Sequence, residues 1–91
     1  MQQIIIRYGG VFMEDFSGLS KAIQRRAVKA EKLFRNNMLH PSLRLHKLHG
    51  RLSDFWSISV DRKFRIIFRY VEKDTILFIG VGTHAIYNDL S

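Results

Sequence analysis

The chain has 91 residues, no cysteine, and 15 Lys and Arg against 8 Asp and Glu, for a formal net charge of +7. That length allows one small domain, residues 1–91, and the missing cysteines exclude disulfide staples and thiolate chemistry, which points to a reducing cytoplasm. The N-terminus lacks the basic-then-apolar pattern of a secretory signal, no run reaches the roughly 18 apolar residues of a membrane span, and the charge favours nucleic acid, an anionic surface or an acidic protein as partner.

In chain order, β-branched Ile4 to Ile6 predict a first strand, interrupted at Gly9-Gly10. Phe12, Phe16 and Leu19 recur at helical spacing, so Val11 to Phe16 predicts a short helix ending near Gly18. Ser20 is placed to cap a second helix. Its apolar stripe is Ile23, Ala27, Ala30 and Phe34, with Lys21, Arg25, Lys29 and Lys32 turned away from it. Asn36-Asn37 and His40-Pro41 end the helical pattern, and a basic connecting segment runs through Arg44, His46, Lys47 and His49 to Gly50. Trp56, Ile58 and Val60 then alternate with Ser57 and Ser59, as in a strand with one buried face. After a turn at Asp61-Arg62-Lys63, a second strand sets Phe64, Ile66, Phe68 and Tyr70 on one face and Arg65, Ile67 and Arg69 on the other. Asp74 turns the chain into a third strand, Thr75 to Val81. The fold class expected is α+β, a helical hairpin packed on an antiparallel sheet, with Ile23, Ala27 and Phe34 meeting Trp56, Ile66 and Phe68.

This parity leaves Arg65 and Arg69 together on the uncovered sheet face, near His84 and Tyr87 at the end of the third strand. Metal-independent RNA cleavage needs a base for the ribose 2′-hydroxyl, donors for the charge that develops on phosphate, and an acid for the departing 5′-oxygen. Imidazole suits either proton transfer and arginine suits the phosphate oxygens. On these grounds Arg65, His84, His46, Asp61 and Tyr87 are candidate catalytic residues, and Arg44, Lys47, Arg51, Lys63 and Arg69 candidate RNA-binding residues. Asp61 is read either as an alternative base or as a residue that orients histidine or arginine. Tyr87 is read either as a stacking platform or as a packing residue. No zinc-spaced ligand set, two-metal carboxylate cluster or phosphate-binding nucleotide loop stands out, so no metal and no cofactor is assigned.

The segments His46-Lys-Leu-His-Gly50, Phe55-Trp56, Lys63-Phe-Arg-Ile-Ile-Phe-Arg-Tyr70 and Gly82-Thr-His-Ala-Ile-Tyr87, in that order, resemble the RelE/ParE superfamily of bacterial toxins, in particular its RelE, YoeB and YafQ-like mRNA interferases. The resemblance implies a fold like that of microbial ribonucleases, ribosome-dependent mRNA cleavage without a metal, contact with mRNA and rRNA, and inhibition by an acidic cognate antitoxin in a hetero-oligomer. It places Arg65 on the catalytic arginine of the aromatic-Arg-hydrophobic strand. His84 and His46 fall on functional histidines of the YafQ branch. Ser59, Lys63 and Phe64 depart from that branch, where a histidine, an aspartate and a tryptophan stand. ParE relatives share the fold and poison DNA gyrase instead, so a nonenzymatic gyrase inhibitor or an RNA-binding module is the alternative reading.

Overall fold

A computed structural model describes residues 3–90, and for Asp89 and Leu90 it describes only the backbone. The β-branched start of the chain forms β1 (Ile5–Tyr8), and Gly9 leads directly into α1 (Gly10–Ser17). Ser20 then caps α2 (Lys21–Asn36): its side-chain oxygen accepts a hydrogen bond from the Ile23 N–H at 3.2 Å. This bond satisfies one of the N–H groups that a helix start leaves without an intrahelical partner. At the other end, Arg35 sits in the last turn, where a cation complements the helix dipole.

The basic connecting segment carries a strand of its own, β2 (His46–Lys47), paired antiparallel with β3 (Trp56–Ser59) through His46 opposite Ser57 and Lys47 opposite Trp56. Strands β4 (Arg65–Glu72) and β5 (Thr75–Gly82) complete the expected antiparallel meander, and α3 (Ile86–Leu90) closes the chain of elements. The sheet order is β1-β5-β4-β3-β2. β1 lies parallel to β5, so the sheet is mixed. A parallel neighbour requires a long crossover, and here both helices and three strands intervene between the two partners.

The core lies between the helices and one sheet face. Phe34 of α2 meets Phe68 at a ring separation of 5.1 Å, and Phe12 of α1 meets Phe78 at 5.2 Å. Ala30, Ile58, Ile66, Ile76 and Val81 fill in around them, while Ala27 is also buried and Ile23 is only half-buried. A strict alternation along β5 would not place both Phe78 and Val81 in this core. Phe68 pairs with Phe78 but Ile67 with Gly80, so Ile79 is an extra residue on β5, and the bulge resets the parity of Gly80, Val81 and Gly82. Val81 also gains a partner outside the sheet, its N–H donating to Asp15 Oδ2 of α1 at 3.1 Å.

The opposite face is less open than simple alternation predicts. Ser57 and Ile67 are both 0% exposed and Ser59 is buried, although all three share the face of Arg65 and Arg69. Ile67 is flanked in register by Ser57 on one side and Gly80 on the other. Small neighbours on a twisted sheet leave room for longer side chains to close over Ile67.

Candidate active site

Arg65 begins β4, opposite Ser59 on one side and Gly82 on the other. Its guanidinium is half-buried. One Nη lies 3.5 Å from Ser59 Oγ, the outer limit of a hydrogen bond, and its Nε is buried with no hydrogen-bond partner. No carboxylate among the described residues pairs with it. A cation withdrawn from water without a counter-charge is costly unless an anion is to arrive, so this arrangement has the electrostatics of an anion site.

His46 lies on the same sheet face, because its register partner Ser57 also faces Ile67. Its Nδ1 is 3.0 Å from the Arg44 carbonyl oxygen. A carbonyl only accepts, so the neutral ring carries its proton on Nδ1 and leaves the exposed side chain's Nε2 as a free proton acceptor. Arg44 itself adopts the left-handed backbone conformation, φ 48°, which turns the chain from the short helical turn at Pro41–Leu43 toward β2.

His84 and Tyr87 come from the far end of β5. Their rings lie edge-to-face at 5.1 Å, and His84 is exposed while Tyr87 is half-buried. Gly82, the register partner of Arg65, determines where this pair sits: a Cβ at position 82 would fall 2.4 Å from Ile86 Cγ2. The missing side chain therefore lets the first turn of α3 settle against the end of β5, at the position that pairs with Arg65.

Asp61 is occupied differently from the other candidates. Its Oδ1 accepts from the N–H groups of Lys63 and Phe64, both at 2.8 Å, and its Oδ2 accepts from Arg26 of α2 at 3.0 Å. Burial acts to raise this carboxyl, but the Phe64 and Lys63 N–H groups and the Arg26 charge outweigh it and hold the group below the ordinary carboxylate value. Its geometry organises the β3–β4 turn and ties that turn to α2.

The remaining cations are dispersed: Arg69 shares the sheet face of Arg65, whereas Lys47, opposite Trp56 in register, lies on the other face from His46. Lys63 lies in the β3–β4 turn, Arg51 in a short helical turn at Gly50–Leu52, and Lys47 and Arg69 on β2 and β4, and all four are exposed. Arg44, Ser59 and Asp61 line one cavity of ≈ 390 Å³. Sequence reading did not identify Ser59 as the neighbour of Arg65, Arg26 as the partner of Asp61, or the fit of Ile86 onto Gly82. The first is implicit in the register of the hairpin, whereas the other two join segments that no local pattern connects. Among the described residues, no group of three or more His, Cys, Asp or Glu is placed to hold a metal ion, and no helix is long and apolar enough to cross a membrane.

The same fold occurs in solved toxins. YafQ from E. coli strain BL21(DE3) superposes with a TM-score of 0.76 at 22% identity, over 93% of this chain and 98% of that one. A YoeB/ParE toxin from Agrobacterium tumefaciens gives 0.75 at 12% identity, over 89% and 99%. The E. coli DinJ-YafQ toxin-antitoxin complex gives 0.74 at 24%, over 93% and 97%. No curated protein matches the sequence. Residues 19–84 match the model of the HigB-like toxin family, described as the RelE-like toxin of the type II toxin-antitoxin system HigB, and that span reaches from the start of α2 to His84. With this fold and this match over most of its length, the chain belongs to the RelE-like toxins of type II toxin-antitoxin systems.

Proposed function

We propose that this protein is a ribosome-dependent mRNA endoribonuclease, held inactive by an acidic cognate antitoxin. One observation carries the reading: Arg65, half-buried and with no counter-charge among the described residues, shares a sheet face with a histidine whose Nε2 is free to take a proton. His46 Nε2 removes the 2′-hydroxyl proton, and the 2′-oxygen attacks the adjacent phosphorus. Arg65 donates to the nonbridging oxygens as negative charge accumulates there. The P–O5′ bond then breaks and His84, protonated, delivers a proton to the leaving oxygen, giving a 2′,3′-cyclic phosphate and a 5′-hydroxyl. Tyr87 stacks on a base beside His84. Asp61 serves this site by holding the turn that precedes Arg65. Arg44, Lys47, Arg51, Lys63 and Arg69 bind the phosphates of mRNA and rRNA.

The net charge of +7 supports an acidic partner, and the solved DinJ-YafQ complexes show that a protein of this fold pairs with an antitoxin. Single-turnover cleavage on saturating programmed ribosomes tests the proposal. Arg65→Ala is expected to slow the bond-breaking step by about 10²-fold or more while ribosome binding is retained. A 2′-deoxy substitution at the cleaved nucleotide is expected to abolish the reaction. Full-rate cleavage by folded Arg65→Ala would remove the arginine from the mechanism. Gyrase inhibition with mRNA left intact would establish the ParE-like activity instead.

A further inference from the structure

Against Glu31 alone, α2 carries Lys21, Arg25, Arg26, Lys29, Lys32 and Arg35. Arg26 pairs with Asp61 and Arg35 with Glu31. Lys21, Arg25, Lys29 and Lys32 are exposed, and none of the four makes an ion pair or a side-chain hydrogen bond among the described residues. Spaced along an α-helix, they fall within an arc of about 80°, directly opposite the buried Ala27, Ala30 and Phe34. They make a cationic stripe about 17 Å long on the side of α2 turned away from the sheet. Phe34 packs on the core face of that sheet, so the stripe lies on the back of the molecule and Arg65 and His46 on its front. This arrangement works against the helix. Lys21 stands in a first turn that contains no acid, where its charge opposes the positive end of the helix dipole. Along the stripe, each cation has a like charge three or four residues away, a spacing at which the two repel. A face that weakens its own helix with no compensating contact inside the fold has the mark of a functional surface.

We propose that the stripe is a second RNA interface, which holds the phosphate backbone of ribosomal RNA while the message lies against the opposite face of the molecule. The inference rests on the ribosome-dependent reading for the identity of that RNA. Asn36 is the only other α2 residue within the arc, so the stripe contains no apolar side chain. The centre of an interface with another protein is apolar and depleted of charge, whereas a phosphate backbone needs only cations at suitable positions. Three of the four cations are lysines, which meet phosphate as point charges. The helices and the sheet separate the two faces, so the RNA held at the stripe is a different segment from the one cut at Arg65. Cationic surfaces back to back seat the protein between message and ribosomal RNA, and cleavage then depends on a partner that supplies both.

Co-sedimentation with ribosomes tests the interface, using a message that carries a 2′-deoxy nucleotide at the cleaved position and so stays intact. Affinity is measured between about 50 and 200 mM salt. The quadruple variant Lys21→Gln, Arg25→Gln, Lys29→Gln and Lys32→Gln keeps good helix formers throughout, and it is expected to melt no earlier than the wild type because the repulsion is gone. It is expected to bind at least about tenfold more weakly and to flatten the slope of log affinity against log salt by about three. Its single-turnover cleavage rate at saturating ribosomes is expected to be unchanged. Lys29→Gln with Lys32→Gln gives about half of that flattening. Arg7→Gln with Lys73→Gln removes the same charge from exposed positions off the stripe and leaves the slope close to that of the wild type. An unchanged slope in the quadruple variant, or equal flattening by the two pairs, overturns the interface. So does a quadruple variant that loses affinity for an acidic antitoxin segment and keeps it for ribosomes, since the stripe would then be a protein contact. Stripe-dependent binding to ribosomes whose all-ribose message stays uncut retains the interface and removes the ribonuclease reading. Arg65-dependent cleavage with binding indifferent to the stripe does the reverse.

Discussion

At the scale of single residues, two charged groups close together in sequence have opposite environments. Asp61 is satisfied by two backbone N–H groups and Arg26, whereas Arg65, on the strand that the same turn leads into, keeps a buried Nε without a partner. The difference decides what each contributes. The bonds to Asp61 favour its charged form, so its carboxyl ionises more readily in the folded protein than in the unfolded chain. A folded value below the unfolded one contributes stability that is present above the unfolded value near pH 3.9 and disappears as the pH falls through the folded value. Asp61→Asn is therefore expected to flatten the acid side of the stability profile, measured as urea midpoints between about pH 2 and 6, and to lower stability at neutral pH. An unchanged acid limb would show that the turn and the Arg26 pair contribute nothing to folding. Arg65 carries the converse expectation: removing a half-buried cation with no counter-charge among the described residues costs the fold little, and the loss falls on activity.

At the scale of elements, the position of α3 depends on one absent side chain. Gly82 leaves the space that Ile86 fills, and a methyl group there would stand 2.4 Å from Ile86 Cγ2. Gly82→Ala is expected to destabilise the protein by about 1–3 kcal/mol through overpacking, and to shift the Tyr87 ring resonances as α3 moves off β5. Shortening the other partner restores the room, so Gly82→Ala with Ile86→Ala is expected to recover the Tyr87 resonances. A double variant that behaves like Gly82→Ala alone would show that the glycine serves backbone conformation and not docking. The bulge at Ile79 has a comparable role within β5, since it allows Phe78 and Val81 to enter the same core while the strand continues toward His84.

At the scale of the whole molecule, the two sheet faces divide the work. One holds the aromatic core, in which Ile66 is 1% exposed and Phe68 0%. Ile66→Asp places a carboxylate there without a partner, a cost comparable with the whole stability of a small domain, and circular dichroism is expected to show an unfolded chain. A native spectrum would place Ile66 outside the core. The other face concentrates a cationic surface on a protein of net charge +7, which sets the association kinetics of any acidic partner. Stopped-flow mixing with an acidic antitoxin segment is expected to show the association rate falling by about tenfold or more as salt shortens the screening length from about 30 Å at 0.01 M to about 8 Å at 0.15 M. A rate indifferent to salt would remove electrostatic steering from the encounter.

The helical hairpin, the antiparallel meander and the shared face of Arg65 and Arg69 are legible in the sequence because they arise from local periodicity: Ser20 caps, Ala27, Ala30 and Phe34 repeat at helical spacing, and Arg65 and Arg69 are an even number of residues apart. Imidazole chemistry and the family motifs both single out His46 and His84. Local pattern carries no information about which distant segment completes a site. It therefore left unread the parallel pairing of β1 with β5, the strand formed by His46 and Lys47, the bond from Arg26 to Asp61 and the burial of Ser57 and Ile67. Those depend on strand register, on an extra residue at Ile79 and on the space left by Gly82, and such constraints arise only when the chain has closed on itself.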